Sequence, residues 1–311
     1  MHLFSNILGV FVFDKNFNVV DKMLFSGIED CKNKEKYIEE LVAKHKEAIS
    51  PDSSGLKKIL LYFKDAKFKD EFYNKNIQLA KFDIKNSVRS DILLIQAISS
   101  IGEIDKSINI LTKVLREWYA LHNPEFSAAC ASHEKFAEEI VNKEKSELLN
   151  ELNINMPDSI GADLQQEDLE PIRRLAHQIC DLYQLRKSHF DYVSSVMDEL
   201  CPNTKAVCDV LIGAKLIEHA GSLKRLSSMP ASTIQVLGAE KALFRHMKTG
   251  AKMPKHGLIV NHPLISMAAE KMHGKIARAL ADKISIASKV DYFQGQFIGD
   301  RLKRELEERF G

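Results

Sequence analysis

The most restrictive feature of this sequence is one apolar repeat of about 32 residues. Apolar residues recur there at alternating steps of three and four, and a single arginine interrupts the series: Leu169, Ile172, Ala176, Ile179, Tyr183, Arg186, Phe190, Val193, Met197 and Leu200. A helix of that length extends roughly 48 Å, which is longer than a compact domain needs. The repeat predicts a helix over 168–200 that pairs with one over 131–152 as an antiparallel coiled-coil arm. The other side of the arm is predicted to hold a dimer, with Tyr183, Phe190, Val193 and Met197 as the arm residues.

A second long helix is predicted from Ser87 to about Asn123, because Pro124 disfavours helical geometry at the residue before it. Its apolar positions also alternate in steps of three and four: Leu94, Ala97, Ile101, Ile104, Ile108, Leu111, Leu115 and Trp118. Residues after Cys201 contain helical patterns only. The chain is therefore expected to be mainly α.

The first 85 residues have a different pattern. Two apolar runs, 7–13 and 19–25, flank the turn signal Asp14-Lys15-Asn16 and predict a β-hairpin. A helix is predicted over 32–49, and further strands over 58–63 and 77–82. The sequence thus predicts a small N-terminal α/β domain over 1–85, a helical and coiled-coil region over 86–200, and an all-α C-terminal domain over 201–311.

The charge is unevenly distributed along the chain. The net charge is +1, yet residues 201–311 contain 18 Lys and Arg against 10 Asp and Glu, while the remainder contains 26 against 33. A basic end on an acidic body is typical of proteins that bind a polyanion. No apolar run is long enough to span a bilayer. Five cysteines without framework spacing favour reduced thiols in a cytosolic protein.

The stretch 213–257 is the best candidate for polyanion contact. Gly238 precedes a helical pattern, and a helix start that exposes its backbone N–H groups can bind phosphate. Lys241 and Arg245 are four residues apart and share a helix face, with His246 beside them. Basic residues on a helix are also the ordinary composition of a solvated face, so this pattern alone leaves both interpretations open.

No catalytic or metal-binding constellation is present in the sequence. His256, His262 and His273 lack ligand spacing, and Glu218-His219 is not part of an HExxH motif. Neither GxSxG nor a CxxC pair occurs. The sequence therefore favours a scaffold that needs no cofactor. A purely structural coiled-coil tether is another class, against which the basic end argues.

Three segments resemble one known family, the Nop-family core proteins of box C/D small ribonucleoproteins. They are GAEKALF at 238–244 within the longer stretch 213–259, REWYALHNPEF at 116–126, and KIARALADKISIASKVDYF at 275–293. The resemblance covers nearly the whole chain and is weaker before residue 85. Tyr119 and Leu121 depart from the aromatic-rich family signature around Trp118. A spliceosomal relative that shares the Nop domain matches GAEKALF less well and is the second choice.

The resemblance implies a non-catalytic scaffold for RNA-guided 2′-O-methylation of rRNA or tRNA. The alternative from a different class is an RNA-modifying enzyme in its own right, which would bind S-adenosylmethionine by itself. The N-terminal domain would bind the methyltransferase fibrillarin, the coiled coil would self-associate, and the C-terminal Nop domain would bind a box C/D guide RNA together with a ribosomal-type protein that recognises its kink-turn. Because the chain ends without the charged tail of eukaryotic homologues, it resembles the archaeal member, which implies a cytoplasmic location.

The residue assignments follow from the resemblance and the basic stretch together. RNA contacts are expected at Gly238, Ala239, Glu240, Lys241, Arg245, Lys248, Lys252 and Lys224. A composite surface shared by RNA and the kink-turn protein is expected at Ser232, Thr233, Gln235 and His246.

Overall fold

The computed structural model describes residues 1–310, which divide into two compact units, residues 1–89 and the chain from Ser90 onward. The first unit contains a three-stranded antiparallel sheet of order β1-β2-β3, formed by His2–Ser5, Gly9–Phe13 and Val19–Leu24. The predicted hairpin is thus confirmed as β2 and β3, joined by a turn in which the Asp14 carboxylate accepts from the backbone N–H groups of Asn16 and Asn18.

Both faces of β2 are covered, which explains why all five of its residues are buried. Val10 and Val12 pack with Leu41, whereas Phe11 and Phe13 pack with Ile59. The helices of this unit are α1 Ile28–Lys32, α2 Lys34–Lys44, α3 Ser53–Tyr62 and α4 Lys69–Asn86, with a 3₁₀ turn at Ala66–Phe68. A helix therefore lies on each side of the central strand.

The predicted strands over 58–63 and 77–82 are wrong, because these segments belong to α3 and α4. A short apolar run such as KILLYF is compatible with either a strand or a buried helix. The Asp52 carboxylate accepts from the Gly55 N–H at 2.8 Å and begins α3 as an N-cap. The helix predicted over 32–49 is also revised, since it is interrupted at Asn33 and ends at Lys44.

The second unit begins with α5, Ser90–Tyr119, which packs antiparallel against α9, Gln166–Leu200. The start of α5 contacts the end of α9, as Leu94 and Met197 share one core, while Leu115 and Ile172 share another at the opposite end. Near the middle, the Arg186 guanidinium binds the Asp105 carboxylate. Arg186, the one break in the apolar repeat, therefore pairs across the two helices.

The prediction that a helix over 131–152 is the long partner of α9 is wrong. Residues 131–152 form two short helices, α7 His133–Asn142 and α8 Lys145–Glu151, after α6 Pro124–Ala129. The break occurs at Glu144, whose backbone N–H donates to the Glu147 carboxylate in a capping box that starts α8. These helices pack around one end of the α5–α9 pair, so α5 supplies the long partner.

The rest of the unit is helical. Its elements are α10 Pro202–Cys208, α11 Val210–Ala220, α12 Leu223–Ser228, α13 Ala231–Val236, α14 Glu240–Thr249, α15 Pro263–Ser266, α16 Glu270–Tyr292 and α17 Gly299–Phe310, with 3₁₀ turns at Met156–Asp158 and Leu258–Asn261. The predicted fold class is confirmed, with a small α/β region, a long antiparallel helix pair and an all-α C-terminal part. None of the helices within residues 1–310 is long and apolar enough to cross a membrane.

One buried carboxylate joins three elements of the C-terminal part. Asp291 on α16 accepts from the backbone N–H groups of Asn203 and Thr204, at 3.0 and 2.8 Å, and from both of their side chains. The Asn203 side-chain oxygen in turn accepts from the Ile298 N–H, just before α17. A carboxylate at the start of α10 satisfies N–H groups that have no partner within that helix and complements its dipole.

We expect Asp291→Asn to lower the free energy of unfolding by about 1.5–3 kcal/mol, since an amide loses the charge and presents a donor where four donors converge. Urea unfolding followed by circular dichroism measures this change. Asp282→Asn, an exposed change on the same helix, is the control and should stay within about 0.5 kcal/mol of the unmodified protein. Equal midpoints for the two variants would contradict the structural role of Asp291.

Candidate nucleic-acid interface

Helix α14 lies in a segment that extends from the C-terminal part, and hydrogen bonds join the two ends of this segment. The N–H of Gly257 donates to the Gln235 carbonyl and the N–H of Leu258 donates to the Leu237 carbonyl, both at 2.8 Å. The Gln235 side-chain amide also donates to the Lys255 carbonyl at 2.7 Å. The two segments that enter and leave α14 are therefore held side by side.

Two glycines permit this close approach. Gly238 has a φ of +87°, and a Cβ there would overlap the side chain of Leu258. A Cβ on Gly257 would overlap the Leu237 carbonyl oxygen. Only glycine tolerates a positive φ with so little space at position 238. Gly238 of the GAEKALF segment therefore sets the direction in which the chain enters α14.

No residue of α14 is buried in the described structure. Spacing places Lys241, Arg245 and Lys248 on one face, all exposed, while Leu243 and His246 on the opposite side are half-buried. Phe244 lies beside the basic face and Met247 lies between Phe244 and Leu243, and these two side chains are 60% and 71% exposed. A ten-residue helix with so little packing is marginal in water by itself, so this surface has the composition of one that another molecule covers.

The C-terminal end of α14 is stabilised locally. Gly250 adopts the left-handed conformation that commonly ends helices, and the His246 ring binds the Ala251 carbonyl through Nδ1. His246 thus faces its own chain. Its predicted place on a composite surface remains a prediction, and its observed contact is intramolecular.

The predicted opening at the start of α14 is partly occupied by a side chain of its own helix, while RNA contact at Gly238, Ala239 and Glu240 stays a prediction. The Glu240 carboxylate accepts from the Gly238 N–H at 2.7 Å and lies 3.7 Å from Nδ1 of His219. Partial burial would raise the pKa of Glu240, but the backbone hydrogen bonds and His219 outweigh it and hold that pKa below its usual range. An ionised carboxylate already occupies this position, and it would repel a phosphate.

Lys241, Arg245, Lys248 and Lys252 form the free cationic part of this region. Among the residues that the structure describes, none of the four lies within ion-pair distance of a carboxylate. Ala239 is half-buried, and Lys224 is exposed on α12. Ser232 and Thr233 are exposed in the first turn of α13.

A groove of about 1060 Å³ lies between α13, α16 and the segment after α14. Ser232 and Gln235, both predicted site residues, line one side of it. Five cations line the remainder, namely Lys255, Lys271, Lys275, Arg278 and Arg309. Lys255 lies in the stretch that the sequence analysis singled out, and the other four were missed. The available signal was the spacing of Lys271, Lys275 and Arg278 at i, i+4 and i+7, which places all three on one helix face.

The predicted dimer residues occupy a different environment. Val193 and Met197 are completely buried in a core that also contains Leu94, so the prediction that they contact a second copy is wrong. Phe190 and Tyr183 are partly buried against the two cores of the same unit. The apolar repeat of α9 is therefore satisfied within one chain.

Residues with metal-binding or nucleophilic side chains are dispersed. In the range 1–310, no group of three or more His, Cys, Asp and Glu is arranged to hold a metal ion. Cys201 and Cys208 are buried free thiols, and burial raises the pKa of both. Buried thiols with raised pKa values are packing residues and poor nucleophiles.

Comparison with known proteins agrees with this arrangement. Residues 100–311 match the family model described as "Nop: snoRNA binding domain, fibrillarin". An uncharacterised NOP5 family protein of Methanocaldococcus jannaschii is 40% identical over 259 residues, 77% of this chain and 62% of its own length. Nucleolar protein 56 of Homo sapiens is 38% identical over 250 residues, 74% of this chain and 42% of its own length.

The fold is also similar to a chain of the solved structure titled "crystal structure of fibrillarin/Nop5p complex", with a TM-score of 0.46, 23% identity and coverage of 99% of this chain and 98% of that one. By contrast, the chain spans less than two thirds of the length of the two curated relatives named above.

This fold and this surface define a class of protein, namely a helical protein that presents an exposed basic helix on a hydrogen-bonded base. The family match covers more than half of the chain, and the protein belongs to the Nop family.

Proposed function

We propose that this protein is the non-catalytic scaffold of an archaeal box C/D ribonucleoprotein, in which it joins a guide RNA and its kink-turn protein to fibrillarin for 2′-O-methylation. The observation that supports this most strongly is α14, an exposed helix with unpaired cations next to exposed apolar residues, in a family whose model is described as snoRNA-binding. Methyl transfer would belong to fibrillarin, and the isolated protein should not bind S-adenosylmethionine.

The basic residues and the exposed apolar residues of α14 together fit a partner that contains both RNA and protein. Lys241, Arg245 and Lys248 can neutralise phosphates, which adds affinity and no sequence information. Phe244 and Met247 would instead pack against the kink-turn protein, because exposed apolar side chains gain by leaving water. Specificity would then come from RNA shape and from the bound protein, as is usual for structured RNA.

The N-terminal unit is the proposed fibrillarin-binding part. Residues 1–89 contain 16 Lys and Arg against 13 Asp and Glu, so charge does not distinguish this unit as an RNA-binding surface. Helix α3 exposes Leu56, Leu60 and Leu61 beside the buried Ile59. An apolar helix face of this kind favours a protein partner.

Self-association is proposed through the outer face of α5. Three apolar residues lie there at steps of four and are 40–66% exposed, namely Ile110, Val114 and Trp118, and Leu121, which is 62% exposed, follows in the turn after α5. This spacing places them on one side of the helix, away from the buried positions that face α9. A second copy could bury the same stripe in a symmetric contact.

We expect Lys241→Glu with Arg245→Glu to weaken assembly on different guide RNAs to a similar degree. Each lost phosphate contact should reduce the slope of log affinity against log salt by about 0.7–0.9. Gel-shift titration at several salt concentrations, with the kink-turn protein present and absent, measures both quantities.

The control is Lys289→Glu with Arg304→Glu, which reverses two exposed charges on α16 and α17. Phe244→Ser with Met247→Ser should weaken binding only when the kink-turn protein is present. Unmodified affinity and an unchanged salt slope in the α14 charge variant would sink the proposal that α14 meets RNA.

Removal of residues 1–89 should abolish recruitment of fibrillarin and leave RNA binding intact, since the cores of the second unit contain only residues from that unit. Pull-down with fibrillarin and a parallel gel shift test this. In the full chain, Leu60→Asp is the finer probe, with the exposed Tyr73→Asp on α4 as its control. Loss of RNA binding on removal of 1–89 would be incompatible with this division of roles.

Val114→Asp with Trp118→Ser should convert a dimer to a monomer, because each buried side chain of this kind contributes about 1.5–3 kcal/mol. Sedimentation at micromolar concentration gives the oligomeric state. Tyr192→Ser, on the exposed face of α9, should leave it unchanged. A monomeric unmodified protein, or a dimer that survives the double change, would rule out the α5 stripe as the contact.

A further inference from the structure

The groove between α13 and α16 has a floor of small residues. Ala231, Ser232, Gly274 and Ala279 line it, and none of them has a long side chain. Gly274 is the fifth residue of α16, a position where glycine destabilises a helix relative to alanine. A Cβ on Gly274 would have no neighbour within 4 Å. Internal packing therefore does not require this glycine, and its effect is to leave the helix backbone open to the groove.

The walls of the groove are cationic. Lys271, Lys275 and Arg278 extend over roughly 10 Å of α16, given the rise per residue of a helix. Within the described part of the chain, none of the three is within ion-pair distance of a carboxylate. Asp282 is the single acidic residue among the lining residues, against five cations. The lining therefore has a net positive charge, and of its five cations Lys255 is paired with the Glu270 carboxylate at 3.9 Å.

The shape of this charge identifies the occupant. A row of three cations along a groove matches a repeating anion, whereas one phosphate would be held by a compact cluster. No aromatic residue lines the groove, so stacked bases have no platform. Such a site would contact phosphates and sugars and leave the bases outside, without preference for sequence. A flexible single strand can follow the groove, while a duplex is recognised across its broad surface.

We propose that this groove binds the sugar–phosphate backbone of single-stranded RNA, at a site separate from α14. The inference rests on the proposed function, because it assumes that the polyanion partner of this protein is RNA. It adds a second point of contact, through which a strand that leaves the structured RNA is held over Gly274 by Lys271, Lys275 and Arg278.

The test uses the full chain and two labelled oligonucleotides of about ten nucleotides, one of uridine and one of adenosine, within the range of known single-strand sites. Fluorescence anisotropy at several salt concentrations gives affinity and salt slope. The groove variant is Lys275→Gln with Arg278→Gln, and the control is Lys289→Gln with Arg304→Gln, which removes the same charge from α16 and α17 outside the groove.

We expect similar affinity for both oligonucleotides and a loss of at least tenfold in the groove variant, with a salt slope smaller by about 1.4 for two lost contacts. The control should lose less than threefold. Equal losses in the two variants, or none in the groove variant, would overturn the proposal.

A second variant separates binding from folding. Gly274→Glu places a carboxylate over the groove floor and replaces glycine with a better helix former, so thermal stability should not fall. Oligonucleotide binding should fall at least tenfold, and Gly274→Ala should retain it within threefold. Unmodified binding by Gly274→Glu would overturn the inference.

Lys241→Glu with Arg245→Glu distinguishes this inference from the proposed function. That variant should keep oligonucleotide binding while losing assembly with the kink-turn protein. Retained assembly in this variant would contradict the proposed role of α14, whereas loss of its oligonucleotide binding would contradict a groove site separate from α14.

Discussion

The antiparallel contact of α5 with α9 is the constraint on which the second unit depends. Each end of the pair is buried in a different core, so a shift in register would disrupt both cores together. Arg186 reaches Asp105 only in the observed alignment, and a polar pair within an apolar seam is a known means of specifying register. Because both side chains are about one third exposed, the pair avoids the desolvation cost of a buried ion pair. Its role is therefore orientation more than stability.

The rigid frame continues from α9 into the base of the candidate interface. Asp291 ties α16 to the start of α10, directly after α9 ends, and the segments around Leu237 and Leu258 close the base of α14. In contrast, α14 itself has no buried residue. A weakly supported helix on a rigid base can adjust when a partner binds, and such elements come from the low-stability end of a fold. This division explains how one chain can position a partner firmly through a surface that is itself adaptable.

The sequence predicted the helices whose apolar repeat continues over many residues, and it left the short elements ambiguous. Helices α5 and α9 followed from uninterrupted steps of three and four, whereas KILLYF had too few residues for its period to decide, and the Asp52 cap was the decisive local signal. At the interface, exposure of Lys241 and Arg245 followed from helical spacing. The carboxylate of Glu240 partly occupies the predicted phosphate site, since a side chain can reach back to its own helix start. The groove was invisible because Gln235 and Lys275 are 40 residues apart and only the fold brings them together.

Two kinds of polar side chain differ in their surroundings, namely buried side chains that bind within the fold and exposed cations. Three buried polar side chains contact their own fold: Asp291 caps α10, Lys145 binds the Gly161 carbonyl and Asp163, and His122 binds the Ala162 carbonyl. Burial lowers the pKa of His122, and the hydrogen bond to the Ala162 carbonyl opposes that shift without outweighing it. By contrast, the cations of α14 and the three groove cations of α16 (Lys271, Lys275 and Arg278) are exposed and lie outside ion-pair distance of any carboxylate among residues 1–310, whereas Lys255 of the groove is paired with Glu270. Since an unpaired surface cation adds little to folding stability, the fold itself does not account for these exposed cations, which is consistent with the polyanion partner proposed above.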